Sequence, residues 1–147
     1  MDYKEKALQL FSQKFHCSQA VLAAFAKDLG ITECQALKLG ASFGGGMCKG
    51  EVCGACTGAL MAIGLKYGQC RVGDTESKAK TNEMTVKFLD LFSSKNGSYL
   101  CKDLLGCDLA TDEGKAYAIE HELFTTLCPK LVESATEIAR QLLFEEN

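Results

Sequence analysis

Apolar positions recur at spacings of three and four along nearly the whole chain, the periodicity of helices with one buried face. Ala7, Leu10, Phe11 and Phe15 form one stripe over residues 3–15. Cys17, Ala20, Val21, Ala24 and Phe25 form a second over residues 17–29, which Gly30 closes as a C-cap. Thr32 with Gln35 reads as a capping box opening a third helix toward Leu39. The glycine run 44–46 is a loop. A fourth helix is expected from about residue 53 to residue 67, despite its glycines. Asp74 or Thr75 starts a fifth, with Val86, Leu89 and Phe92 facing inward and Asn96-Gly97 at its end. Residues 98–105 read as a short helix, and Thr111 caps a segment running to about Phe124. Pro129 fits the first turn of a last helix, in which Leu131, Val132, Ala135, Ile138, Ala139 and Leu142 keep the helical spacing. No run alternates as a half-buried strand does. The expected fold is all-α: one helical bundle of about six to seven helices, with residues 1–147 as a single domain.

Composition changes this picture little. Apolar residues make up 47% of the 147, enough for a core without covalent staples. The net charge is −3 and no basic run exists, so nucleic acid is disfavoured as a partner. The longest uncharged apolar stretch, residues 52–65, spans 14 residues, too few to cross a bilayer, and membrane insertion is not expected. The start of the chain is charged and then amphipathic, unlike a secretory signal, which points to the cytoplasm.

Nine cysteines are the exception to this ordinary composition. In a reducing compartment such a number suits metal binding or thiol redox chemistry better than a disulfide scaffold, and an odd count leaves one thiol over. The sharpest local motif is Cys53-Gly54-Ala55-Cys56. Two cysteines three apart share one face of a helical turn. A Cys53 at the helix start would have its thiolate favoured by free N–H groups and the dipole. A CxxC beside a βαβ unit would suggest a thioredoxin-like enzyme, but no such unit is present. The bland alternative is two small buried residues on a tightly packed helix. Cys48-x4-Cys53-x2-Cys56 matches the opening spacing of plant-type [2Fe–2S] ligation, a weak pointer to a cluster.

Other motifs exclude more than they propose. Gly44-Gly45-Gly46 lacks the lysine and hydroxyl residue of a phosphate loop and follows no strand, so no nucleotide is expected. CxxCH is absent, so covalent haem is not expected. Gly54, Gly58 and Ala62 make a smooth face for close helix packing, within the chain or in a homodimer. Cys17 and Cys128 stand near expected helix starts. Cys34, Cys70, Cys101 and Cys107 have no decisive context of their own, and Cys48 and Cys56 are candidate accessory thiols. His16 precedes Cys17 as a candidate ligand or general base against an ordinary boundary role, and His121, between Glu120 and Glu122, reads as solvated.

Taken together, certain stretches are similar to a known family. They are His16-Cys17-Ser18-Gln19-Ala20-Val21-Leu22, Phe43-Gly44-Gly45-Gly46-Met47 and Gly50-Glu51-Val52-Cys53-Gly54-Ala55 followed by Gly58-Ala59-Leu60. Gly64-Leu65-Lys66-Tyr67-Gly68 and Cys101-Lys102-Asp103-Leu104-Leu105-Gly106 continue the match, which ends around Cys128. In this order they resemble the C_GCAxxG_C_C family, whose members are described as redox-active. The resemblance carries Cys17, Cys53, Cys101 and Cys128 over as the family's cysteines, with Gly54, Ala55 and Gly58 framing the second as cofactor-binding positions. It implies a small helical redox protein. A related domain in split-Soret cytochromes carries an iron–sulfur centre beside haem, and the haem part has no counterpart here. Cys56 falls at a variable position of the pattern.

The resulting expectation is a cytoplasmic redox protein whose centre is built from Cys17, Cys53, Cys101 and Cys128, ligating an iron–sulfur cluster or another thiophilic metal for electron transfer to a redox partner protein. One alternative is a metal-free thiol–disulfide oxidoreductase using Cys53 with Cys56 or another resolving cysteine as catalytic thiols. Another is a non-catalytic zinc-binding module that docks on a larger redox enzyme.

Overall fold

In the computed structural model, which describes residues 2–145, the chain folds into nine α-helices and no strand among those residues. They are α1 (Tyr3–Ser12), α2 (Cys17–Phe25), α3 (Glu33–Gly40), α4 (Gly54–Tyr67), α5 (Thr75–Asn96), α6 (Cys101–Leu105), α7 (Asp112–Glu120), α8 (Leu123–Thr126) and α9 (Cys128–Phe144). The all-α class is as expected, and the count exceeds six to seven for local reasons. Residues 111–124 break at Glu122, whose backbone is left-handed at φ 55°, so α7 and α8 are separate. The helix expected over 98–105 starts only at Cys101. The second stripe ends at Phe25 and continues as a tighter turn, Lys27–Leu29, before Gly30 closes it at φ 84°.

Caps explain most of the boundaries. The Asp2 carboxylate accepts the Glu5 N–H at 2.7 Å, and Asp74 accepts that of Ser77 at 3.1 Å. Thr32 and Gln35 exchange both bonds of the capping box, at 3.0 and 2.9 Å. Thr111 accepts from Gly114 at 2.9 Å. Each satisfies donors that a helix start leaves unpaired.

Helix α2 is the hub, packed by α1, α3, α4 and α9. Its Val21, Leu22 and Phe25 are buried with Ile63 of α4 and Met84, Phe88 and Phe92 of α5. Val86, expected inward, is 58% exposed. The buried stripe of α5 instead runs through Met84, Phe88 and Phe92, spacings of four that place residue 86 on the other side. A smaller cluster of Cys101, Leu105, Leu109 and Ala118 packs beside the main core, joined by Cys107, Leu123, Leu127 and Cys128.

The α2–α4 contact is set by small residues. A β-carbon on Gly58 would sit 2.5 Å from the Ser18 carbonyl oxygen, and one on Gly54 would sit 2.4 Å from the Cys17 sulfur. Gly54 and Gly58, on the smooth face of α4, are therefore packed against α2 inside the chain. Ser18 also donates to the Gly40 carbonyl at 2.6 Å in a fully buried position, tying α2 to α3. Replacing Ser18 by alanine removes that bond while the Gly40 carbonyl keeps the Phe43 N–H at 3.3 Å, and we expect a loss of about 1 kcal/mol in a denaturant titration.

Candidate redox site

Four stretches of chain deliver one cysteine each to a single cavity of about 540 Å³: Cys17, Cys53, Cys101 and Cys128. Each stands where a helix begins. Cys53 is the N-cap of α4, and Cys17, Cys101 and Cys128 are the first residues of α2, α6 and α9. Three of these helices are nine or more residues long, so three positive dipole ends meet at the thiols.

Backbone pairing fixes two of the four. Val52 and Leu100 form an isolated antiparallel bridge. On either side, the Cys53 N–H donates to the Tyr99 carbonyl at 2.8 Å and the Cys101 N–H to the Glu51 carbonyl at 2.6 Å. Residues far apart in sequence are thereby held side by side, and Lys102 adds an ion pair to Glu51 at 3.8 Å. Cys17 is set in part by glycines that leave room for its sulfur. Its sulfur lies against Gly54, and the N–H groups of Gly45 and Ser18 point to it. The His16 ring fills the space a β-carbon on Gly44 would need. Gly45 reaches the cavity on a strained turn in which Gly45, Gly46, Met47 and Cys48 all have φ near 60°. Two of those four carry side chains, a conformation that costs about 1–2 kcal/mol per residue.

The thiols themselves are desolvated, and all nine cysteines are free. The Cys17 thiol is pushed well above the ordinary range by its hydrogen bond with Cys53, by burial and by charge repulsion with Cys53, against the pull of the two N–H groups. For Cys53 the bond with Cys17 lowers the pKa, but the bond with Cys56, burial and repulsion with Cys56 outweigh it, so the net shift is upward. Burial, then repulsion with Cys17 and Cys128, raises Cys101 to about 12. Burial, then Cys17 and Cys107, raises Cys128 to about 12. The expectation of an activated Cys53 thiolate is thus corrected. Cys53 does sit at the helix start, but an apolar pocket filled with other thiols overrides the dipole.

The remaining residues separate clearly. Cys56 is fully buried in the core, touching Cys53 but not the cavity. Gly54 lines the cavity, whereas Ala55 and Gly58 do not and are buried in the packing of α4. Cys34, Cys48 and Cys70 are exposed, so the close sequence cluster around Cys48 is not a spatial one. His16 is exposed at the cavity edge, while His121 lies away from it and stacks on Tyr117. Sequence reasoning passed over Cys107, which packs beside Cys101 and Cys128. The turn at Gly106, φ 70°, returns the chain toward the cluster, and a spacing of six gives no helical signal for it.

A family model described as "Putative redox-active protein (C_GCAxxG_C_C)" matches residues 15–142. The chain belongs to the C_GCAxxG_C_C family. The match spans all four cavity cysteines of this cysteine-rich chain. No curated protein and no solved structure matches. Among the described residues, no helix is long and apolar enough to cross a membrane.

Proposed function

We propose that the cavity is a cysteine-ligated redox centre, in which Cys17, Cys53, Cys101 and Cys128 hold an iron–sulfur cluster or another thiophilic metal. The observation that carries this reading is the convergence of four sequence-distant thiols, each from a helix start, on one cavity. Thiol–disulfide chemistry needs two such groups. A four-thiolate shell needs four.

Four cysteine sulfurs are a donor set that thiophilic metals take. A single tetrahedral ion with metal–sulfur bonds of about 2.3 Å draws all four sulfurs to within about 4 Å of one another. Among the described residues no three or more His, Cys, Asp or Glu side chains form a group that could hold a metal ion, so ligation requires the four sulfurs to draw closer than they stand. Cys17 and Cys53 touch, while Cys101 and Cys128 face the same space from α6 and α9. An iron–sulfur centre there would supply one-electron transfer.

The chain's own contribution is electrostatic. Thiols in an apolar pocket keep their protons unless a cation replaces them. The dipole ends of α2, α4 and α9 and the N–H groups at Cys17 offset the negative charge of ligating thiolates. Protein purified without oxygen should carry iron and acid-labile sulfide with thiolate charge-transfer absorption, and Cys53→Ser should lose most of both. Unchanged metal in that variant excludes Cys53 as a ligand.

A second reading rests on the contacts of Cys53 with both Cys17 and Cys56. Oxidation of either pair would pass two electrons and two protons to a partner disulfide, which leaves as two thiols. The raised thiol pKa values disfavour it, because the attacking species is the thiolate.

A further inference from the structure

The cavity is larger than its thiols require, and the rest of its wall is mostly apolar, with Ser12, Lys14, His16 and Thr125 as its polar side chains. Phe11 and Phe15 close it from the α1 side, Leu105 and Leu109 from α6 and the turn after it, and Phe124 from α8. No Asp or Glu lines it, and Lys14, exposed at the edge, is its one permanently charged side chain. A volume of about 540 Å³ falls within the ordinary range for small-molecule sites, roughly 300–1,000 Å³. The four sulfurs with metal between them span only a few bond lengths of about 2.3 Å.

We propose that this cavity takes an uncharged fused-ring carbonyl compound, of the quinone class, against the phenylalanine wall. The lining sets each part of that assignment. The absence of Asp and Glu leaves an organic cation no carboxylate partner, and away from the dipole ends at the thiols the apolar wall makes burial of an anion unfavourable. Three phenylalanine rings suit a flat aromatic ligand, which prefers offset or edge-on ring contacts. Lys14 and the His16 ring stand at the edge, where they can donate to carbonyl oxygens that remain near water. The use of such a ligand in electron transfer rests on the metal-centre reading above. Its binding does not.

Binding can be read with prodan, a neutral naphthyl ketone whose emission moves to the blue in apolar surroundings. The chain contains no tryptophan to obscure it. The full-length protein, prepared without oxygen, should give a saturable blue shift that dimethylnaphthoquinone reverses, while anilinonaphthalene sulfonate competes poorly. Phe124 is 39% exposed, so Phe124→Ser should fold normally and weaken prodan about tenfold through loss of ring contact. Val72→Ser, on a fully exposed residue away from the cavity, should bind as the parent does. No saturable shift, equal binding by Phe124→Ser, or equal competition by the sulfonate would overturn the proposal. Metal and sulfide measured on the same samples keep the two readings apart. Prodan binding by metal-free protein supports the ligand site alone, and metal-loaded protein that ignores prodan defeats it alone.

Discussion

Gly58→Ala should destabilise the protein more than Gly54→Ala, while Gly54→Ala should damage the redox centre more. Both glycines lie on the face of α4 that meets α2, and both gain helix propensity on becoming alanine. What the new methyl meets differs. At residue 58 the nearest atom is the Ser18 carbonyl oxygen at 2.5 Å, with the Ser18 carbonyl and α-carbons at 3.2 Å. That is backbone at the centre of the contact with α2, so the two helices must separate. The expected cost is about 1–3 kcal/mol, at the upper end because the neighbour cannot rotate away. At residue 54 the nearest atom is the Cys17 sulfur at 2.4 Å, followed by the Phe43 carbonyl oxygen at 3.0 Å and the Ser18 nitrogen at 3.2 Å, backbone that has to give by only a few tenths of an ångström. A side chain at the cavity edge can turn aside, and the helices stay close at the expense of the Cys17–Cys53 contact. Thermal unfolding should therefore rank the variants one way and metal content the other. The same ranking in both measurements would mean that Gly54 matters only for packing.

The metal-free protein should lose stability steeply as pH rises from about 9 toward 12. Cys101 and Cys128 titrate near 12 when folded, against an ordinary thiol value of 9.0. A group whose pKa is raised by folding stabilises the fold fully below the unfolded value and loses that contribution as pH climbs through the folded one. Every tenfold weakening of a thiol's acidity on folding corresponds to about 1.4 kcal/mol for that group. This is an upper bound for Cys128, which keeps part of its surface open. The Cys101→Ser, Cys128→Ser double variant should show a flatter alkaline limb in urea titrations. An equally steep limb would assign the loss to other groups, among them Tyr3, which burial, the hydrogen bond to Asp28 and that carboxylate's charge also raise to about 12.

The helices were legible because their signals are local. The Thr32–Gln35 box, the Asp74 cap, Gly97 and Pro129 are each read within a few residues of the boundary they set. Val86 was misplaced because α5 offers apolar residues on more than one side, and only contact with α4 and α9 selects the Met84–Phe88–Phe92 stripe. The same distinction governs the site. Its four cysteine positions came from a family pattern, not from spacing, since residues 17, 53, 101 and 128 share no periodicity. The pairing of residues 51–53 with 99–101 is a long-range contact of only one bridge, too short to leave an alternating pattern. The reverse error concerned the thiol chemistry. Reading Cys53 as a helix-start cysteine was right about the backbone and wrong about the direction of the thiol's shift, because the surroundings of the sulfur are supplied by α2 and by the core.

The most direct test of a four-cysteine centre is iron and sulfide content, measured on anaerobic preparations of seven single serine variants. Substitution of Cys17, Cys53, Cys101 or Cys128 should each remove most of the metal and the charge-transfer absorption. Substitution of the exposed Cys34, Cys48 or Cys70 should leave both unchanged. Metal retained in all four cavity variants, or lost equally from the exposed ones, would contradict the account.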